Sequence, residues 1–472
     1  MTAVTARPPV PGTPPVDGIR PVDGTRARLD AAVRLGAIVL LWSALLLVAY
    51  WWAAGGGFQD LATLPTALDS TGRLTGLVAS VLLLAQVLLM ARIPTLEHAF
   101  GQDRLTRLHR LVGFTSFTLM LAHIGLITLG YADGRLRASV GTFWTLTVDY
   151  PGMLLAVAGT ACLVMVVVTS VRAARRRLRY ESWHLLHLYA YLGVFLALPH
   201  QLWTGQEFLA STARTVFWWT AWIVTAGAVL IWRVGLPLLR SARYGLRVTG
   251  VVVEAPGVVS VHLSGRDRGP RPEAGQFFTF RFLTGRGWLR AHPYSLSAAP
   301  AGGAMRFTAK VVGDGSGALL HLRPGTRVLV EGPYGRLSAR ARTRRRVALI
   351  GAGVGITPLR ALAESLDYGP DEAVLIHRFT DRPLFDEEFR SLHATRGLRV
   401  VRLPGHRRSP GSWLGSGVPA IDDEAALRAL VPRVDEHDVF ICGPEAWTAD
   451  VARSARAAGV PADHIHTESF GW

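Results

Sequence analysis

Five histidines stand in two stretches that otherwise offer little that is polar. "LHRLVGFTSFTLMLAHIGL" carries His109 and His123, and "SWHLLHLYAYLGVFLALPH" carries His184, His187 and His200. Imidazoles are costly in hydrocarbon, and those found there usually mark a site. His109 and His123 lie 14 residues apart; on an ideal helix that is about 40° short of four turns and a rise of roughly 21 Å, so both rings share one face. His187 and His200 lie 13 apart, a rise of roughly 19.5 Å but about 140° short of four turns. Pro199 removes a backbone hydrogen bond and offers a kink that would realign them. Two imidazoles near each end of two helices are what two stacked b-type haems require, each iron taking one ligand from each helix. His109 then pairs with His187, and His123 with His200. Two other readings use the same residues: hydrogen-bonded core histidines, and a haem-free proton or metal transporter. His184 and His98 read as surface histidines.

The elements that must hold these residues are visible in the hydropathy. Half of the 472 residues are apolar, and they crowd into the first 240 positions. Stretches near 34–54, 73–92, 108–130, 152–172, 183–203 and 214–238 reach the roughly 20 residues needed to cross a bilayer. The Pro- and Gly-rich residues 1–33 read as a disordered tail. Eighteen arginines flank the presumed inner ends, among them Arg92, Arg110, Arg177 and Arg240, against Arg73, Arg135, Arg137 and Arg214 on the other side. That asymmetry places both termini, and everything after Arg240, on the cytoplasmic side of a plasma membrane whose lipid is the first partner. The net charge of +17 is explained by the same loops. No basic stripe interleaved with aromatics tracks a nucleic-acid backbone. Two cysteines, Cys162 and Cys442, exclude a disulfide framework or a Cys-ligated iron–sulfur cluster within this chain.

From about Arg243 short alternating strands, "LRVTGVVVEA" through "RVLVEGPYG", predict an antiparallel β-barrel. "VALIGAGVGITPLRALAESL" then reads as strand, glycine loop and helix, with Gly351, Gly353 and Gly355 letting backbone approach a pyrophosphate at the helix N-terminus. The expected architecture is multidomain: an all-α six-helix transmembrane bundle (34–240), an antiparallel β-barrel (241–341) and an α/β Rossmann-like domain (342–472).

"HPYSLSAAP", "VVGDGS", "GAGVGITP", "CGPE" and the final "ESFGW" occur in this order, as in ferredoxin–NADP reductase-like modules. Coupled to the paired histidines, residues 34–472 resemble the ferric reductase and NADPH oxidase superfamily. The resemblance implies that the barrel binds FAD through His292, Pro293, Tyr294 and Ser295, with His292 standing where the family more often has arginine. Val311, Gly313 and Ser316 match the turn that holds the FAD pyrophosphate. Gly351, Gly353, Gly355, Thr357 and Pro358 match the nicotinamide-nucleotide loop, and Cys442, Gly443, Pro444 and Glu445 the segment beside the nicotinamide. Trp472 matches the terminal aromatic that covers the flavin. Arg378 and Arg382 suit the 2′-phosphate of NADPH, while Asp381 leaves NADH open. The implied activity passes electrons from NADPH through FAD and two haems to an outer acceptor, oxygen (giving superoxide) or a ferric chelate. Arg73 resembles an oxidase-branch arginine near the oxygen site; Ile127 stands where those oxidases often carry a histidine. Partner subunits are not indicated by any motif. The competing whole-chain reading is the transporter, with the cytoplasmic half as a nucleotide sensor.

Overall fold

A computed structural model describes residues 24–171, 174, 180–268, 272–285, 290–419 and 421–469. The chain forms two compact units that divide between Val234 and Gly235. In the first, six helices are long and apolar enough to span a bilayer: Arg28–Gly57, Leu64–Leu89, Arg104–Tyr131, Met153–Ser170, Ser182–Trp203 and Thr212–Tyr244. The last runs on past the division into the second unit. All six spans predicted from hydropathy exist, but their ends differ. Helix already begins at Gly24, so residues 24–33 are not tail; Leu29, Ala31, Ala32 and Val33 are adequate helix formers that continue the apolar run. Residues 1–23 lie outside the described set. The second span starts at Leu64 with a proline in its first turn, nine residues ahead of Arg73. Arg73 is therefore inside the helix rather than at its end, because its charge is compensated there. Two short helices that hydropathy did not signal, Pro94–Phe100 and Ser139–Asp149, cross the second and third loops.

Small residues set the helix pairing. A Cβ on Gly159 would sit 2.7 Å from the carbonyl of Gly193, and one on Gly193 2.9 Å from that of Gly159, so the fourth and fifth spans meet backbone to backbone. The second and third spans close in the same way, with Gly72 against Ile127 and Gly130 against the backbone of Asp69. The third and fifth spans, which carry the four histidines, are not closely packed on each other.

The second unit begins with the helix Leu236–Tyr244, whose Ser241 Oγ bonds both N and O of Val330 at 2.9 Å. Strands β1 (Arg247–Ala255), β2 (Val258–Ser264) and β5 (Ala304–Lys310) form one antiparallel sheet in the order β1-β2-β5. Strands β3 (Phe277–Phe282), β4 (His292–Ser295) and β6 (Val328–Tyr334) form another, ordered β4-β3-β6. The predicted barrel takes the form of two three-stranded sheets, joined at their edges by the isolated bridges Arg247↔Arg327 and Leu296↔Phe307 and by adjoining backbone bonds such as Val328 N to the Leu246 carbonyl and Ser297 N to the Arg306 carbonyl. Phe278, Phe280 and Phe307 fill the space between them.

Five parallel strands follow: β7 (Arg346–Ala352), β8 (Ala373–Phe379), β9 (Arg399–Pro404), β10 (His437–Gly443) and β11 (Ile465–Ser469), ordered β11-β10-β7-β8-β9. The predicted α/β domain is present. Its central strands are buried on both faces, as an all-parallel sheet requires. The strand order reverses between β7 and β10, and ligands of such sheets bind at that switch point.

Candidate functional site

The structure brings the four histidines together in two pairs. The rings of His109 and His187 lie 6.1 Å apart between centroids, at 67°. His123 and His200 are electrostatic neighbours on the same two helices. Pro199 does not end the fifth span, whose helix runs through it to Trp203, and the turn at Gly152 approaches the backbone of Pro199 and His200 so closely that a Cβ would stand 2.8 Å from His200 N.

Three of the rings are oriented by their Nδ1 atoms. His109 Nδ1 meets the Gln86 carbonyl at 3.2 Å and His123 Nδ1 the Gly72 carbonyl at 2.8 Å. His187 Nδ1 lies 3.3 Å from Ser170 Oγ, which also accepts from Trp183 Nε1. A backbone carbonyl on Nδ1 fixes the tautomer and leaves Nε2 with its lone pair, the state a metal ligand needs. His200 Nδ1 is buried near the Ala197 backbone without a hydrogen bond of acceptable geometry. Gly76 is required beside His123, since a Cβ there would come within 2.6 Å of Nδ1.

These facts fit a group held between two imidazoles. A metal–imidazole bond is about 2 Å and the ring nitrogen lies about 1.1 Å from the ring centre, so ligands on opposite sides of one ion have centroids about 6.2 Å apart. The His109–His187 pair is at 6.1 Å, on helices that are not closely packed on each other. Phe114 and Phe195 are exposed on these two helices, while Phe117 is half-buried.

Arg73 is not free to meet an anion. It pairs with Asp60, with Asp69 at 3.5 Å and with Glu207 at 3.8 Å, and Glu207 also holds Arg214. Three carboxylates around two guanidiniums tie the loops at this end of the membrane unit. None of them had been singled out in the sequence, because Asp60, Asp69 and Glu207 are scattered over three segments.

In the second unit, β4 places His292 to Ser295 against β3. Tyr294 stacks on Phe307 at 4.7 Å and 2°, and on His292 at 5.9 Å and 14°. Burial pushes its phenol pKa up. Ser295 is 3% exposed and its Oγ has no partner, the kind of orphaned hydroxyl that the polar edge of a flavin would satisfy. Ser316 Oγ is committed to its own turn, bonding Val312 N at 2.9 Å, Gly313 N at 3.2 Å and the Gly313 carbonyl at 3.1 Å. Its part is therefore to shape the Val311–Gly317 turn, whose Gly313 is exposed with open space beyond its Cα.

The glycine loop follows β7 directly. Gly353 has φ +54 with nothing within 4 Å of its Cβ position, whereas Gly355 lies against β10, its added Cβ 2.4 Å from the Cys442 carbonyl. Thr357 and Pro358 are buried in the first turn of the helix Ile356–Ser365. Cys442 is fully buried and registers with Gly351 on one side and Glu468 on the other. Burial, then the nearby Glu468, drives its thiol well above the usual range, so it is a neutral thiol and not a nucleophile. Pro444 and Glu445 are exposed at the start of the next helix. Arg378 is half-buried, donates to the Gly405 carbonyl at 3.4 Å, and is depressed by burial and then by Arg407. Arg382 is exposed. Trp472 lies outside the described residues. Sequence reasoning gave no role to Glu468, although it opens "ESFGW", and missed Arg407 and His377; the last is buried under the loop at the Gly353 backbone, and burial holds it at about 4. Its position as the fifth residue of a buried strand was the only signal.

Residues 75–198 match the family of ferric reductase-like transmembrane components, a span that covers His109, His123 and His187 and ends two residues before His200. A flavohemoprotein of Xylella fastidiosa is 30% identical over 230 residues, 47% of this chain and 57% of that protein. The ferredoxin reductase component of 3-ketosteroid-9-alpha-monooxygenase from Mycolicibacterium smegmatis is 31% identical over 207 residues, 42% and 56% respectively. The chain thus spans a little over half the length of these relatives. The FAD/NAD-binding domain of nitric oxide dioxygenase from Vibrio cholerae aligns with 48% of this chain and 98% of its own, at 25% identity and a TM-score of 0.39, too low to carry the fold assignment, which rests on the strand order. The chain thus joins a segment that matches ferric reductase-like transmembrane components to a second half similar to the reductase parts of flavohemoproteins and ferredoxin reductase components.

Proposed function

We propose that this protein is a transmembrane NADPH oxidoreductase that carries electrons through FAD and two b-type haems to an acceptor on the outer side, oxygen or a ferric chelate. The observation that carries the reading is the His109–His187 pair, with ring centroids 6.1 Å apart on two helices that are not closely packed on each other. A haem-free transporter has no need of that spacing.

Bound FAD and haem supply the redox chemistry itself, the flavin joining two-electron hydride transfer to one-electron haem transfer. The chain supplies the seats. His109 and His187 would hold the inner haem, and His123 and His200 the outer one. The Gln86 and Gly72 carbonyls keep His109 and His123 as Nδ1–H tautomers. Ser295 would meet the flavin's polar edge, and Tyr294, backed by Phe307, would keep water from one face. The Gly351–Gly355 loop would receive the pyrophosphate of the nicotinamide nucleotide at the N-terminus of Ile356–Ser365. Cys442, held neutral, would bring an uncharged surface to the nicotinamide. Arg378, with Arg407 beside it, favours the 2′-phosphate and hence NADPH. His123 and His200 would both be engaged in holding the outer haem, which would supply single electrons to the acceptor without a further ligand from this chain. The carboxylates on Arg73 favour an acceptor without net negative charge there, which points to oxygen over an anionic ferric chelate. In this reading both termini lie on the cytoplasmic side, as the arginine asymmetry of the loops supports.

The test is the optical spectrum of the detergent-purified chain before and after NADPH without oxygen. A low-spin b-type spectrum that NADPH reduces only when FAD is present supports the proposal. A chain without a Soret band overturns it.

A further inference from the structure

Between the two sheets that carry the flavin motif and the five-stranded nucleotide domain lies a buried cluster of four charges. Arg306, on β5, is 8% exposed and grips Glu388 with both Nη atoms at 2.9 Å. Its other donors go to Ser297, Nε to Oγ at 3.1 Å and Nη2 to the carbonyl at 2.8 Å. Arg360, 4% exposed on the helix Ile356–Ser365, reaches the same Glu388 at 2.6 Å and the same Ser297 carbonyl at 3.2 Å. Glu364, one turn on, pairs with Arg360 and accepts from Ala299 N at 2.6 Å. Charges balance, two guanidiniums against two carboxylates.

The cluster's attachment points matter more than its energy. Ser297 and Ala299 follow Ser295 of the flavin motif by two and four residues. Arg360 follows Pro358 of the nucleotide loop by two. Glu388 lies on the helix Asp386–Arg396, after β8. Stability alone would be served as well by apolar side chains, because a buried ion pair roughly breaks even against a well-packed hydrophobic seam. What apolar contact cannot supply is direction: a bidentate carboxylate–guanidinium pair fixes distance and angle together.

We propose that Arg306, Glu388 and Arg360 are positioning residues for hydride transfer, setting the separation of the flavin and nicotinamide seats by locking the Ser295–Ala299 segment to the helix behind the glycine loop. This rests on the function proposed above. Misplacing reacting centres by 1 Å is enough to cost on the order of 100-fold in rate, so small slippage at this seam has a large kinetic effect.

The test uses the full chain in detergent, with Glu388→Gln and the double variant Arg306→Leu/Glu388→Leu. Flavin content, thermal midpoint, and the rate of flavin reduction at saturating NADPH and 4-deuterated NADPH are measured anaerobically. The expected result is retained FAD, an unchanged NADPH concentration for half-maximal rate, and hydride transfer slowed about tenfold or more with an altered deuterium effect. The double variant should regain thermal stability without regaining rate; Glu388→Asp should regain part of the rate. Wild-type rate and isotope effect in FAD-loaded variants overturn the proposal, whatever their thermal midpoints. If Glu388→Gln does not fold, Glu388→Asp and Arg306→Lys, which keep both charges and alter the fork, take its place under the same criteria. A wild-type chain that takes no flavin, or whose flavin neither nucleotide reduces, overturns the function reading itself. A working wild type with unaffected variants overturns the positioning role alone.

Discussion

Replacing Gly355 by alanine should uncouple the nucleotide loop from the strand it leans on. The glycine has an ordinary helical φ of −62, so alanine meets no conformational penalty there. The obstacle is space: its Cβ would stand 2.4 Å from the carbonyl oxygen of Cys442, 2.7 Å from its carbonyl carbon and 2.8 Å from Gly443 Cα. All three are backbone atoms of β10, locked by pairing with β7 and β11, and no flexible side chain can yield. Overpacking of this kind costs about 1–3 kcal/mol, or about 5- to 150-fold if it is expressed in nucleotide affinity. Two other glycines calibrate the effect. Gly353→Ala has room but requires φ +54, a strain of about 1–2 kcal/mol. Gly250→Ala, on β1 outside both cofactor motifs, has room and no left-handed backbone, and should change almost nothing. Nucleotide affinity, read from the concentration dependence of anaerobic flavin reduction, should fall in that order, with FAD content unchanged. A Gly355→Ala chain that binds NADPH within about twofold of wild type, while Gly353→Ala is weaker, would refute the steric argument.

The remaining expectations reach other parts of the chain. Gly76→Ala should displace the His123 ring and its bond to Gly72, lowering haem content from about two to about one per chain with the inner site intact; pyridine haemochromogen assays on purified protein measure it, and two retained haems would contradict the assignment of His123. His377 is neutral when folded because burial holds it at about 4, against about 6.5 when unfolded. Its contribution is complete above about pH 6.5 and is lost as pH falls toward 4, about 3 kcal/mol in all. Thermal melts of His377→Gln between pH 7 and 4.5 should therefore show a shallower acid loss than wild type, and an identical slope would rule this out. Arg73→Gln should lower stability by about 1–3 kcal/mol by leaving Asp60 and Asp69 uncompensated while Glu207 keeps Arg214, and reduction of the haems by NADPH stays at wild-type rate. Unchanged melting with slower acceptor reduction would instead return Arg73 to the acceptor site.

How much of this could be read from the chain follows from how each feature is encoded. Membrane spans are encoded by local hydropathy and the nucleotide loop by local glycine spacing, so both were legible, although the extra helices at Pro94–Phe100 and Ser139–Asp149 were not. Their loops are too short and mixed to show a period. The barrel reading reached the right strands but not their grouping, since whether β1 and β6 pair along their length or join at one bridge and the bonds beside it is decided by tertiary closure. The histidine pairing was half legible: the 14-residue interval aligns His109 with His123 by helix geometry alone, but the 13-residue interval does not. His200 reaches His123's neighbourhood in a fifth span whose helix continues through Pro199, with the Gly152 turn pressed against it. That contact joins residues 48 apart. Longer still is the separation across which Glu388 reaches Arg306, 82 residues, while Glu468 registers with Cys442 across β10 and β11 from the next strand of the sheet. Arg306 and Glu388 belong to no motif, because the chemistry needs them only where the sheet order has already brought two seats together. Motifs therefore mark what touches a cofactor, and the buried polar contacts between motifs mark what keeps two cofactors in register; the first class can be found by reading along the chain, the second only by reading across it.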